Sequence, residues 1–190
     1  MKKLIVLSGL SFMLSLPALR GSETLYFAKG TLSSQEVMYN KSDPGNHKIS
    51  PKRHDVSYQS KEAFKKDFEN ATILNTKRSA YFDEIEFEQD HVTKTAFYDA
   101  DSKLVATTQL KTFSDLPVKA QHYINSKYPG YTIAAVLFAD DNEFNESDMV
   151  MYNRSFSDAD NYFVELVKGN SKIVVKSDLI GYVDFFKSLD

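Results

Sequence analysis

Oxygen-bearing side chains fall at every second position along one acidic stretch of the chain: Asp141, Glu143, Asn145 and Ser147. A calcium loop presents its oxygen ligands to a hard cation with that spacing. The stretch departs from such a loop at two places. Glu146 stands at the sixth position, where a glycine makes the sharp turn, and Tyr152 at the twelfth, where a bidentate glutamate closes the site. Asp141, Glu143 and Asn145 are therefore the metal-ligand candidates. A hydrated acidic loop is the competing reading and the one preferred, because neighbouring like charges stay wet.

Carboxylates also alternate along a second stretch, Glu84, Glu86 and Glu88. Two carboxylates at a fixed separation can divide general acid and general base work. These three sit in a regularly alternating run, with Phe82 on their side and Tyr81, Asp83, Ile85 and Phe87 on the other, so they read as the wet face of a strand. The histidines, His47, His54, His91 and His122, are scattered, with no His-x3-His pair to hold a metal. His91 beside Asp90 could titrate as a pair, but reads better as a polar hairpin end. The chain has no Ser/His/Asp arrangement, glycine-rich phosphate loop or basic stripe. No catalytic residue and no cofactor are expected, and the chain is read as non-enzymatic.

One further set of residues recurs. Tyr81-Phe82 and Tyr162-Phe163 open two similar strand patterns. Core packing is the preferred reading, since buried aromatics dominate the energetics of such patterns. If one member of each pair stood on an open sheet face it would anchor a partner, so Tyr81, Phe82, Tyr162 and Phe163 are the partner-binding candidates.

The chain of 190 residues contains no cysteine, which excludes disulfides, thiolate metal sites, a cysteine nucleophile and a lipidated cysteine anchor. Lys2 and Lys3 precede a short apolar run at 4–16, closed by Pro17-Ala18. This run is too short to span a membrane and has the form of an export signal, so residues 1–21 are read as a cleaved signal peptide. Its removal takes Lys2, Lys3 and Arg20 and no acid, leaving 20 basic against 26 acidic residues, a net charge of −6. That balance argues against nucleic acid, whose phosphates require a basic footprint. Export implies a periplasmic or secreted protein with no membrane span in the mature chain.

The elements that must position these side chains are legible in outline. Residues 22–58 are polar and turn-rich and read as a linker. From Ser60, a plausible N-cap, Ala63, Phe64 and Phe68 fall at helical spacing, and Asn70 stops the helix. Strands are predicted over 71–77, 80–88, 91–98 and 103–110, with Asp99 to Lys103 as a hairpin turn. A second helix is capped by Ser114 or Asp115, carries Pro117 in its first turn, and stops at Pro129-Gly130. Strands follow over 131–139, 161–168, 171–177 and 182–187, with an acidic insertion at 140–160. Phe64 and Phe68 align with Ile124 and Tyr128, and the Tyr-Phe strands align with each other. The predicted fold is α+β, a tandem repeat of a helix plus a four-stranded antiparallel sheet. The first repeat covers 59–112 and the second 113–190.

Several motifs occur together: Phe64-x3-Phe68-x-Asn70-Ala71, Ala96-Phe97-Tyr98-Asp99-x-Asp101, Leu104-Val105-Ala106-Thr107-Thr108, Asp115-Leu116-Pro117 and Lys127-Tyr128-Pro129-Gly130-Tyr131. In this order, over residues 60–187, the chain resembles the PepSY-like family of exported bacterial proteins, also described as β-lactamase-inhibitor-like. The resemblance implies a periplasmic or surface-facing module without enzymatic activity, whose relatives accompany peptidases or bind an enzyme across a sheet face. The chain departs from the family in its long acidic insertion and from the disulfide-bonded inhibitors in lacking cysteine, so no inhibitory residue is carried over. The expected function is recognition of a protein or peptide partner in the cell envelope, as inhibitor or chaperone of a hydrolase. The alternative is a small-ligand or calcium-binding envelope sensor.

Overall fold

The computed structural model describes residues 55–157 and 159–190. The expected signal peptide, most of the expected linker, His47 and His54 lie outside the described residues. Ten strands and two α-helices are found among the described residues: α1 (Tyr58–Asp67), β1 (Thr72–Arg78), β2 (Asp83–Gln89), β3 (Val92–Tyr98), β4 (Leu104–Lys111), α2 (Val118–Lys127), β5 (Thr132–Asp141), β6 (Met149–Met151), β7 (Arg154–Phe156), β8 (Asn161–Lys168), β9 (Ser171–Asp178) and β10 (Val183–Ser188). Eight of the strands form one antiparallel sheet in the order β1-β2-β3-β4-β5-β8-β9-β10, and β6 pairs with β7 as a separate hairpin. The architecture is α+β, built on a large continuous antiparallel sheet.

The strand register places both helices on one face. Ile85 lies opposite Ala96, Ala96 opposite Thr107, and Thr107 opposite Asp140, which shares its side of β5 with Val136. Helix α1 covers Ile85, Phe87, Ala96 and Tyr98 at one end of that row, and α2 covers Val136, Val164, Leu166 and Val175 at the other. Phe64 and Phe68 of α1 stack against Phe87 at centroid distances of 5.0 and 4.6 Å, within the range where aromatic pairs add to simple burial.

The helices begin where local hydrogen bonds can close them. Ser57, not Ser60, caps α1, its hydroxyl accepting from the Ser60 N–H at 2.9 Å. Ser60 sits inside the first turn because its own hydroxyl donates to Asp83 at 2.8 Å. Val56 is buried, so packing begins ahead of residue 59, where the sequence places the domain start. Ser114 and Asp115 do not cap α2 either. They belong to a 3-10 turn, Phe113–Asp115, in which the Asp115 carboxylate accepts from the Thr112 N–H at 2.7 Å; α2 starts only after Pro117. Gly181 lies where the β9–β10 turn meets α2. Its φ is +87°, and a Cβ there would come within 2.9 Å of the Lys119 Cβ.

The insertion at 140–160 is more than a hydrated loop. β5 continues through Asp141, and the β6–β7 hairpin packs Met149, Tyr152 and Phe156 against Phe163, Val174 and Phe186 on the face away from the helices. The acidic count of this stretch hid its apolar residues, which are too few and too closely spaced to show a strand period.

A buried carboxylate joins the first helix to the sheet. Asp83 is 4% exposed and accepts both Arg78 Nε at 2.6 Å and Arg78 Nη2 at 2.8 Å, together with the Ser57 N–H at 2.9 Å and the Ser60 hydroxyl. Burial alone would raise this carboxyl, but the Arg78 guanidinium and the serine donors outweigh it and hold it at about 2. The unfolded chain titrates at about 3.9. The lowered group therefore contributes stability that is complete above about pH 4 and is lost as pH falls through about 2, roughly 2 kcal/mol in all. In urea unfolding from neutral pH to about pH 2, Asp83→Asn should be less stable at neutral pH and lose roughly 2 kcal/mol less on acidification than the parent chain. Equal losses would contradict this role for Asp83.

Candidate functional site

Two asparagines tie the loop at the end of β5 to its neighbours. The Asn142 N–H donates to the Val105 carbonyl at 2.9 Å and its side chain to the Leu104 carbonyl at 2.6 Å. The Asn145 side chain donates to Leu104 O at 3.0 Å and to Asp99 Oδ2 at 3.1 Å, while its own oxygen accepts the Ser147 N–H at 3.0 Å. Asp99 is fixed in turn, because its Oδ1 accepts the N–H groups of Asp101 and Lys103, both at 2.9 Å, and so closes the β3–β4 turn. Between the asparagines stands Phe144, its N–H directed at Asn142 Oδ1 at 3.3 Å and its residue surface 96% exposed. A large aromatic side chain left in water on a tethered loop contributes nothing to the core.

Phe144 borders a groove of about 730 Å³ that runs between this loop and α1. Tyr58, 71% exposed, lies along the same groove, with Ala63 and Leu104 supplying further apolar surface among the charged side chains of Glu62, Lys66, Asp67 and Lys103. Asp67, also in the lining, is held by the Tyr98 hydroxyl at 2.9 Å. Burial and that carboxylate push the Tyr98 phenol up, so it stays a neutral donor. The β3–β4 turn ties the two walls together, because the Ser102 hydroxyl lies 3.0 Å from the Ser60 hydroxyl on α1 while Asp99 of the same turn holds Asn145.

A second, smaller groove of about 390 Å³ runs along the other side of the loop, lined by Asp141, Glu143, Asp160, Asp178, Leu179 and Ile180 among others. Asp141 and Glu143 thus border one groove and Asn145 the other, where its amide is committed to Leu104 and Asp99. The three sequence-selected candidates are divided by the loop rather than gathered on one side of it. Among the described residues no group of three or more His, Asp or Glu side chains is arranged to hold a metal ion.

The aromatic candidates also divide. Phe82 and Phe163 are buried in the central cluster beneath the β6–β7 hairpin. Tyr162 is half-buried against Phe138, at 4.8 Å between centroids. Tyr81 alone is mostly exposed, at 53%. Glu84, Glu86 and Glu88 pair with Phe97, Thr95 and Thr93 on the sheet face opposite the helices. Burial raises the Glu84 carboxyl. His91 and Asp90 form the tight β2–β3 turn, both with positive φ, and His91 is fully exposed.

The hairpin closes part of that opposite face through a buried charge. Glu165 is 1% exposed; its Oε1 accepts the Tyr152 hydroxyl at 3.1 Å, and its Oε2 lies 3.3 Å from Lys172 Nζ as an ion-pair contact. Tyr152 takes a φ of 54°, a conformation that costs a bulky residue about 1–3 kcal/mol. It is held there by Glu165, by Lys187 Nζ donating to its carbonyl at 2.6 Å, and by its ring packing on Phe163 and Phe186. Arg154 beside it donates to the Phe186 carbonyl.

Sequence reasoning missed Tyr58 and Phe144. A lone aromatic among the five carboxylates from Asp140 to Asp148 was the available signal for the second. Tyr58 carried none, because it lies in a stretch that reads as linker.

No family model matches the chain, and no curated protein matches it. Solved structures do. A DUF2874 family protein from Bacteroides uniformis superposes with a TM-score of 0.57 at 13% identity, covering 70% of this chain and 90% of that one. A BLIP-like protein from Bacteroides fragilis gives 0.54 at 18% identity, covering 70% and 86%. A protein from Bacteroides eggerthii, provisionally described as periplasmic, gives 0.57 at 12% identity, covering 70% and 89%. The chain has the fold of these proteins.

Core and display aromatics should separate cleanly in urea unfolding. Phe163→Ala should cost about 3–5 kcal/mol, the range for emptying a packed aromatic site. Phe144→Ala should change stability by less than about 0.5 kcal/mol, as an exposed substitution does. A large loss at Phe144 would give that side chain a structural role.

Proposed function

We propose that this protein is an exported, non-enzymatic binding module that recognises a protein or peptide partner in the cell envelope, as inhibitor or chaperone of a hydrolase. The observation that carries this reading is Phe144, 96% exposed on a loop whose backbone is hydrogen-bonded to β4, beside a groove of mixed apolar and charged lining. Rigid aromatic side chains bind at low entropic cost and are enriched among residues that dominate interface energies. The likeness of fold to a BLIP-like protein supports the inhibitor-like direction, and the likeness to a protein provisionally described as periplasmic supports the location. Among the described residues no helix is long and apolar enough to cross a membrane.

The reading includes an internal repeat of PepSY-like type, helix plus four strands, at 59–112 and 113–190, preceded by a signal peptide at 1–21 and a polar segment at 22–58. Matching irregularities support it. β1 shifts register between Ile73 and Asn75 and β5 between Ile133 and Ala135. Asn70 and Gly130, which follow the two helices, both have positive φ. A calcium or small-ligand sensor built on Asp141, Glu143 and Asn145 is the less favoured reading, since the loop turns Asn145 away from the other two.

The test is affinity capture from the cell's own envelope fraction, with the parent chain and Phe144→Ala as parallel baits. The proposal predicts a hydrolase or other protein enriched by the parent and lost, by about tenfold or more, with the variant. Equal recovery on both baits, or no specific protein on either, would contradict it.

A further inference from the structure

β1 is an outer strand of the eight-stranded sheet, and no strand among the described residues lies along its free edge. Such an edge presents a row of unpaired N–H and C=O groups, which natural sheets cover or blunt. The chain enters beside it: the Thr76 hydroxyl of β1 donates to Asp55 Oδ1 at 3.3 Å. The segment that precedes Asp55 therefore starts from this edge. Positions 60 residues apart correspond through the two halves of the molecule. Val56 and Leu116 are both buried, α1 and α2 run from 58 to 67 and from 118 to 127, and Asn70 and Gly130 both have positive φ. β1 and β5 begin at 72 and 132, and their register shifts fall at 73–75 and 133–135. The second half has one strand more. β4, which precedes α2, pairs antiparallel with β5, placing Lys111 opposite Val136, Leu110 opposite Leu137 and Gln109 opposite Phe138. Sixty residues back, those pairs fall on Pro51 and Thr76, Ser50 and Lys77, and Ile49 and Arg78.

We infer that residues 49–51 of this chain lie antiparallel along the free edge of β1, with Ser50 opposite Lys77 and Ile49 opposite Arg78, as β4 lies along β5. This rests on the internal repeat proposed above and goes beyond it, because it gives the segment before α1 a place in the sheet. Residues 52–54 span at most about 10 Å, so a chain reaching back from Asp55 at Thr76 is already at this edge. The residue types suit the position. Ile49 is branched and favoured in strands, and an outermost strand accepts Pro51, which has no N–H to donate. Ile73 and Leu74 lie beyond the paired stretch, as Ile133 does in β5, and all three are exposed. Covered in this way, the β1 edge is closed to a strand added by a partner, and recognition falls to other surfaces.

The chain has no cysteine, so introduced pairs report on their own proximity. Three double variants of the full chain are oxidised in dilute solution and resolved on non-reducing gels. The first carries Ser50→Cys and Lys77→Cys. The reference carries Leu110→Cys and Leu137→Cys, the matching pair between β4 and β5. The control carries Ser50→Cys and Ser188→Cys, the latter on β10 at the opposite edge of the sheet. Residues directly opposed in an antiparallel pair meet the Cα separation that a disulfide needs. The first variant should close within one molecule at least about tenfold faster than the control. Closure no faster than the control would overturn the inference. So would a disulfide-linked dimer as the main product of the first variant, which would make a second copy of the chain the occupant. If the reference closes and the first variant does not, the inference falls while the pairing of β4 with β5 and the proposed repeat stand. If neither closes, the repeat falls with it. The binding function is read separately, by capture through Phe144, and is moved by neither result.

Discussion

The Asp83 carboxylate is the constraint on which the groove depends. It is almost fully out of water, a position that costs several kcal/mol per ion unless the charge is paired and its lone pairs are satisfied. Arg78 supplies the paired charge in a two-point fork, and the N-terminus of α1 supplies the remaining donors. The charge can be satisfied only if α1 starts at one place on the sheet. Buried ion pairs are weak sources of net stability, and their better-attested use is to fix one arrangement among several. The arrangement fixed here is the position of one groove wall. Ser102, against Ser60, carries that position to the β3–β4 turn, and Asp99 of the turn carries it to Asn145 and the loop bearing Phe144.

The second constraint is that a single sheet has two faces to cover. Both helices lie on one, so the other would expose Phe82, Phe163, Val174 and Phe186 without the β6–β7 hairpin. The hairpin covers them with three apolar side chains and accepts an unfavourable backbone conformation at Tyr152, offset by the contacts of that residue with Glu165, Lys187 and the aromatic cluster. What remains open on this face is the half bearing Glu84, Glu86 and Glu88, which is polar. The most exposed aromatic side chain among the described residues is Phe144, and it is presented by the same insertion that covers the sheet. One insertion thus supplies both the cover for the core and the exposed Phe144.

The sequence carried the secondary structure well because strands with one buried side alternate, as Asp83, Ile85 and Phe87 do. Helix stops need residues tolerant of positive φ, as at Asn70 and Gly130. Cap positions were off by a turn at both helices, because the deciding partners are distant: Asp83 claims Ser60, and the 3-10 turn claims Asp115. The insertion was misread because a short hairpin has too few residues to set a period, and its flanking charges dominate the composition. The division of Asp141, Glu143 and Asn145 between two grooves was not readable either, since it follows from long-range hydrogen bonds of Asn142 and Asn145 to β4 and Asp99. Phe144 was readable in principle, as an aromatic residue with no apolar neighbour at helix or strand spacing.

The central claim is that the proposed recognition occurs at the Phe144 loop and the groove beside α1, not on the open sheet face. Hydrogen–deuterium exchange of the chain alone and bound to its captured partner tests this most directly. The account predicts slowed exchange in α1, the β3–β4 turn and the loop around Phe144, with the β2–β3 hairpin unchanged. Protection confined to β2, β3 and the β6–β7 hairpin, with the Phe144 loop exchanging as in the free chain, would contradict it.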